Sequence, residues 1–81
     1  MTVRYVLRDV EQLQKIMKHP GRGESYSIRG LARDAHVTKS KIERLLRGEL
    51  DWLDVNEAHQ VAEVLGVLVR VLFDPPASMP Q

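Results

Sequence analysis

The apolar positions between residues 27 and 48 predict two short helices joined by a tight turn. They fit one buried face only if the chain bends near His36, because the helical period breaks there and resumes at Thr38. Ser27 and Thr38 are the expected N-caps of the two helices, and Gly48 is suited to end the second one. The residues expected to face inward are Leu31, Ala32, Ala35, Val37, Ile42, Leu45 and Leu46.

Two further helices are predicted, one on each side of this pair. The first begins at Asp9, which has a glutamine three positions later as in a capping box, and ends at the sequence His19-Pro20-Gly21. The second begins at Asp54, which has a glutamate at the same spacing, and ends at Gly66. Apolar residues repeat every three or four positions in both segments, as they do in amphipathic helices. The chain is therefore predicted to be mainly helical.

The segments before the first and after the last predicted helix both have patterns typical of strands. Residues 2–8 combine β-branched and aromatic side chains, and residues 67–73 alternate more regularly. A lone strand leaves its backbone groups unpaired, so we expect the two segments to form a short antiparallel ribbon. The second strand should present one apolar face to a second copy of the chain or to another partner: Val67, Val69, Val71 and Phe73. Residues 75–81 are expected to form a disordered tail.

Length and composition restrict the class of protein. The 81 residues allow one domain, which we place at residues 1–74. The sequence has no cysteine, which fits a reducing compartment. It also has no apolar run long enough to span a membrane and no pattern typical of a signal peptide. We therefore expect a cytoplasmic protein with no membrane partner.

The net charge of +1 hides a marked asymmetry along the chain. Residues 1–48 contain 11 basic and 5 acidic residues, whereas residues 49–81 contain 1 basic and 6 acidic residues. Such a split is typical of a protein that turns a cationic face toward a polyanion, although charged residues also simply solvate helix surfaces. The outward side of the helix after His36 carries donors suited to phosphate oxygens and to purine edges: Lys39, Ser40, Lys41, Arg44 and Arg47.

Catalytic and metal-binding patterns are absent from the sequence. It has no cysteine nucleophile, no zinc motif of paired histidines and no glycine loop for phosphates. The three histidines, His19, His36 and His59, lie on different predicted elements at spacings that match no metal site. We therefore expect no enzymatic activity and no metal, cofactor or small-molecule ligand.

Residues 27–48 resemble the helix–turn–helix of the phage Cro and repressor family, often called XRE-like, and residues 9–66 look like its whole domain. Two positions depart from the family pattern. Ile28 stands where relatives often have a glutamine that binds a phosphate, and His36 stands where they usually have glycine at a positive φ. The positions that match are Leu31-Ala32, Ala35, Val37-Thr38, Ile42 and Gly48.

The resemblance implies a small helical DNA-binding domain, so that the expected fold is mainly α, with four to five helices and the short antiparallel β-ribbon predicted for the two chain ends. It also implies a homodimeric repressor of phage or bacterial origin that binds palindromic double-stranded DNA. Thr38, Lys39, Ser40 and Arg44 match positions that approach base edges, and Lys41 and Arg47 are expected at phosphates. An alternative is an antitoxin-like or adaptor module that binds another polypeptide through the strand at residues 67–73.

Overall fold

The computed structural model describes residues 4–21 and 23–74. Within these ranges the fold is mainly helical, with five α-helices and a small antiparallel sheet of three strands. The elements in chain order are β1 (Arg4–Leu7), α1 (Val10–Lys18), α2 (Ile28–Ala35), α3 (Lys39–Arg47), β2 (Trp52–Asp54), α4 (Val55–Leu65), α5 (Val69–Leu72) and β3 (Phe73–Asp74). The predicted tail at residues 75–81 lies outside the described residues.

Short polar side chains cap the helices where the sequence predicts helix starts. The Ser27 hydroxyl accepts a hydrogen bond from the Gly30 amide at 3.0 Å and begins α2. At α4, Asp54 and Glu57 form the predicted capping box, in which each side chain accepts a hydrogen bond from the other residue's amide. Asp9 caps α1 more simply than predicted, because its carboxylate accepts a hydrogen bond from an amide only two residues later.

The N-terminal strand β1 lies in the middle of the sheet, between β2 and β3. The predicted pairing of the chain ends is present, since Leu7 lies opposite Phe73 in an antiparallel register. It is shorter than expected, and the longer partner of β1 is β2, where Leu53 lies opposite Tyr5. No strand was predicted at β2 from the sequence.

The prediction of a continuous strand at residues 67–73 is wrong. Residues 69–72 form the single helical turn α5, and only Phe73–Asp74 are strand. The adjacent side chains of Leu72 and Phe73 are both buried, whereas successive side chains of an extended chain point to opposite faces and would both be buried only in a strand covered on two sides. A short apolar run fits either a strand or a helical turn, and burial of these two residues selects the turn.

The buried core is built from residues of the sheet and of all five helices. Leu13 and Met17 come from α1, Leu7 and Leu53 come from the sheet, and Phe73 is fully buried. The inward residues predicted in α2, the turn and α3 are buried as well, apart from Leu46, which is half-buried. None of the helices in the described ranges is long and apolar enough to cross a membrane.

Candidate nucleic-acid interface

A left-handed residue joins α2 to α3. His36 has φ 58° and ψ 38°, and its amide donates to the Ala32 carbonyl at the end of α2. The amide of Val37 donates to the same carbonyl at 3.1 Å, and the Val37 side chain is buried in the core. This geometry confirms the sharp bend predicted near His36. The hydroxyl of Thr38 then accepts the Lys41 amide at 3.3 Å and begins α3.

One side of α3 is buried and the other is exposed. Ile42 and Leu45 are fully buried, which fixes the rotation of the helix about its axis. Because the helix has 3.6 residues per turn, the opposite side of α3 then points outward, while Leu46 and Lys41 lie half-buried at its borders. Five of the six predicted DNA-binding residues are exposed, as predicted: Thr38, Lys39, Ser40, Arg44 and Arg47.

The exposed cations of α3 are only loosely held by acidic neighbours. Lys39 lies 3.7 Å from a carboxylate oxygen of Glu43, and Arg47 lies 3.9 Å from one of Glu49. Exposed pairs of this kind contribute about 0–1 kcal/mol, so a phosphate can replace either carboxylate at little cost. Among the described residues, the Arg44 guanidinium has neither an ion pair nor a hydrogen bond, which leaves its five N–H donors available.

Lys41 differs from the other cations of α3. Its Nζ lies 2.6 Å from Oε2 of Glu57, and the two side chains are 39% and 19% exposed. The sequence identified Glu57 only as a capping residue of α4, because the two residues are 16 positions apart and no local pattern connects them. Because the Lys41 ammonium is already paired with Glu57, it is less available to a phosphate than the sequence suggests.

On α2, a second cation is already engaged by a neighbour. Arg33 Nε donates to one carboxylate oxygen of Asp34 at 3.1 Å, and the Tyr26 hydroxyl donates to the other, also at 3.1 Å. These hydrogen bonds, first that of Arg33 and then that of Tyr26, hold the pKa of Asp34 below its ordinary value. The charge of Arg33 is therefore partly offset by Asp34 on the same helix.

The predicted partner face at residues 67–73 is not present as a strand face. Phe73 is buried in the core, and Val67, Val69 and Val71 are half-buried. Leu68, which the alternation placed on the other side, is instead 76% exposed. It borders a shallow groove of about 320 Å³ that is also lined by His59, Ala62, Glu63, Val67 and Val69.

The described residues contain no group of three or more His, Cys, Asp or Glu side chains arranged to hold a metal ion.

Comparisons of the chain with protein-family models, with curated proteins and with solved structures found no match.

Proposed function

We propose that this chain binds double-stranded DNA in a sequence-dependent way and regulates transcription as a repressor of the Cro and repressor (XRE-like) type. In this proposal α3 enters the major groove with its N-terminal end leading. The observation that carries the proposal is the exposed cationic side of α3, which buried Ile42 and Leu45 hold in one orientation after the left-handed turn at His36.

The chemistry of the exposed residues supports two kinds of contact. Arg44 has a free guanidinium, and a guanidinium can donate two hydrogen bonds to O6 and N7 of guanine. Thr38, Lys39 and Ser40 lie at the leading end of α3, where hydroxyls and an ammonium can reach base edges. Arg47, near the other end of α3, is assigned to a phosphate.

We further propose that the protein acts as a homodimer on a palindromic site. The exposed Leu68 segment replaces the predicted strand face as the dimer contact. α4 has 11 residues and is therefore about 16 Å long; its first turn contacts α3 through Glu57, and Leu68 follows its other end. The two surfaces are thus far enough apart for one copy to engage DNA and a second copy at once.

A protein-interaction module is the second candidate function. The observation in its favour is that exposed Leu68 adjoins Ala62, Val67 and Val69 in the lining of the groove, since contiguous apolar surface, unlike an isolated apolar side chain, marks interaction sites. In this alternative, an antitoxin-like or adaptor protein binds a different polypeptide there. The two functions are compatible in one chain.

Affinity for a random-sequence duplex, measured over a range of salt concentrations, tests the proposal. DNA binding through cations releases counterions, so the affinity should fall steeply as salt rises, with a log–log slope of about −0.9 for each phosphate contacted. No measurable binding at low salt, or an affinity that does not change with salt, would contradict the proposal and favour the protein-interaction module.

A further inference from the structure

We propose that Lys41 is a positioning residue that holds the leading end of α3 against α4 through Glu57, and that it does not itself contact DNA phosphate. This inference rests on the proposed DNA-binding function and changes one residue role within it. It assigns the direct contacts to the other exposed residues of α3 and gives Glu57, on a different helix, an indirect part in reading DNA.

The Glu57 carboxylate is held from two directions. Its Oε1 accepts a hydrogen bond from the Asp54 amide at 3.3 Å, and its Oε2 accepts one from Lys41 Nζ at 2.6 Å. In return, the Asp54 carboxylate accepts the Glu57 amide at 2.8 Å. Because the capping box fixes the carboxylate, the Lys41 ammonium is bound to an anchored group and not to a freely rotating side chain.

This side-chain contact joins two helices whose backbones lie apart and whose buried side chains belong to the same core. α3 packs against α1 and α2 and makes little backbone contact with α4. α4 itself follows β2 directly, and β2 pairs with β1. The Lys41–Glu57 pair therefore ties the leading end of α3 to the sheet and to α4, and without it that end is held mainly by the packing of Ile42 and by the Thr38 cap.

The location of Lys41 in the first turn of α3 agrees with this role. The helix dipole disfavours a cation at that end by about 0.3–1 kcal/mol, and a nearby anion offsets this cost. Glu57 supplies that anion within the chain, at a distance shorter than those of the Lys39 and Arg47 pairs. If Lys41 stays bound to Glu57 and contacts no phosphate, it displaces no counterion from DNA.

The pair can first be tested in the absence of DNA. We expect Lys41→Gln and Glu57→Gln each to lower the denaturation midpoint. The double variant should be as stable as the less stable of the two single variants, because each substitution removes the same interaction. Glutamine can keep the capping hydrogen bond of Glu57 with Asp54. Strictly additive losses would overturn the proposed link between α3 and α4.

The second test is the salt dependence of DNA binding. We expect Lys41→Gln to leave the log–log slope unchanged, whereas Arg47→Gln reduces its magnitude by about 0.9. Arg70→Gln is a control that removes an exposed arginine from α5, away from α3, and it should leave the slope unchanged. We expect Glu57→Gln to increase the magnitude of the slope, by up to about 0.9, because it frees the Lys41 charge for a phosphate.

A positioning role also predicts a loss of discrimination. In Lys41→Gln, the ratio of affinity for the preferred site to affinity for random duplex should fall roughly threefold to tenfold while the slope stays constant. A slope reduced as much as in Arg47→Gln would overturn the proposal, because Lys41 would then contact a phosphate. If the wild-type chain binds no DNA, the proposed function fails, and the stability measurements alone decide whether the link exists.

Discussion

His36 adopts a left-handed backbone conformation between two buried residues, Ala35 and Val37. For a residue with a Cβ atom this conformation is strained, although histidine tolerates it better than most residues do. The burial of its neighbours keeps the chain in this conformation. The strained conformation of His36 therefore helps to set the orientation of α3 relative to α2.

Replacing His36 with a β-branched residue should expose this strain. We expect His36→Val to lower the free energy of unfolding by about 1–2 kcal/mol, whereas His36→Gly should stay within about 1 kcal/mol of the wild type. Denaturant unfolding followed by circular dichroism measures both. Equal stability of the valine and glycine variants would contradict the structural role assigned to this turn.

Two elements approach each other closely where the segment after α1 meets the end of α4. The Gly21 amide donates to the Leu65 carbonyl at 2.8 Å, and a Cβ built on Gly21 would overlap the carbonyl oxygen of Gly66. Both obstructing atoms of Gly66 belong to the backbone, so no side-chain rotation can relieve the overlap. Only glycine allows this approach of α1 to α4.

We expect Gly21→Ala to lower the free energy of unfolding by about 1–3 kcal/mol, the range for overpacking in a well-packed region. Gly23→Ala is the comparison, since Gly23, unlike Gly21, has a positive φ of 76° and has open space around its Cα. It should lose only the smaller amount due to backbone strain. Thermal unfolding of the two variants checks this order, and a larger loss in Gly23→Ala would contradict it.

The elements that the sequence predicted are those specified by local patterns. The caps at Ser27, Thr38 and Asp54 and the 3.6-residue apolar repeat lie within each helix, so they can be read without knowing the fold. β2 and α5 could not be predicted, because a short apolar run such as the one ending at Phe73 takes its conformation from its tertiary neighbours. The Lys41–Glu57 contact was missed for the same reason, since it joins residues distant in sequence.

At the scale of the whole molecule, the charge asymmetry separates the proposed DNA-binding surface on α3 from the proposed dimer contact around Leu68. The basic part of the chain includes α3, and the acidic part includes α4 and the segment around Leu68. This arrangement suits a protein that turns α3 toward a polyanion and keeps an apolar contact elsewhere for a second copy. The exposed outward positions of α3 were predictable, whereas the strand face predicted for the dimer contact is not formed, because residues 69–72 make a helical turn and Phe73 is buried.

Removing the exposed leucine should weaken the proposed dimer. We expect Leu68→Thr to weaken dimerisation by about tenfold or more, because a two-fold interface loses the side chain twice. Threonine also favours the N-cap position that Leu68 occupies at α5, so the fold should be retained. Val6→Thr is the matched control, since Val6 is the other exposed large apolar residue in the part of the chain that the structure describes, and it should leave dimerisation unchanged.

Sedimentation equilibrium over a range of protein concentrations measures this effect. A wild-type chain that stays monomeric, or a Leu68→Thr variant that dimerises as well as the wild type, would contradict the assigned contact. A wild-type monomer that co-purifies from its native source with a different polypeptide, which Leu68→Thr no longer retains, would favour the protein-interaction module.

Selection of bound sites from a random duplex pool, carried out with the wild type and with Arg44→Ala, tests the central claim most directly. The account predicts that the wild type enriches a two-fold symmetric site with half-sites about one helical turn apart. Arg44→Ala should lose the preference at one base pair of each half-site, a change of about 1–3 kcal/mol. No enriched sequence with the wild type, or an identical preference with Arg44→Ala, would contradict the assignment of α3 as the DNA-reading helix.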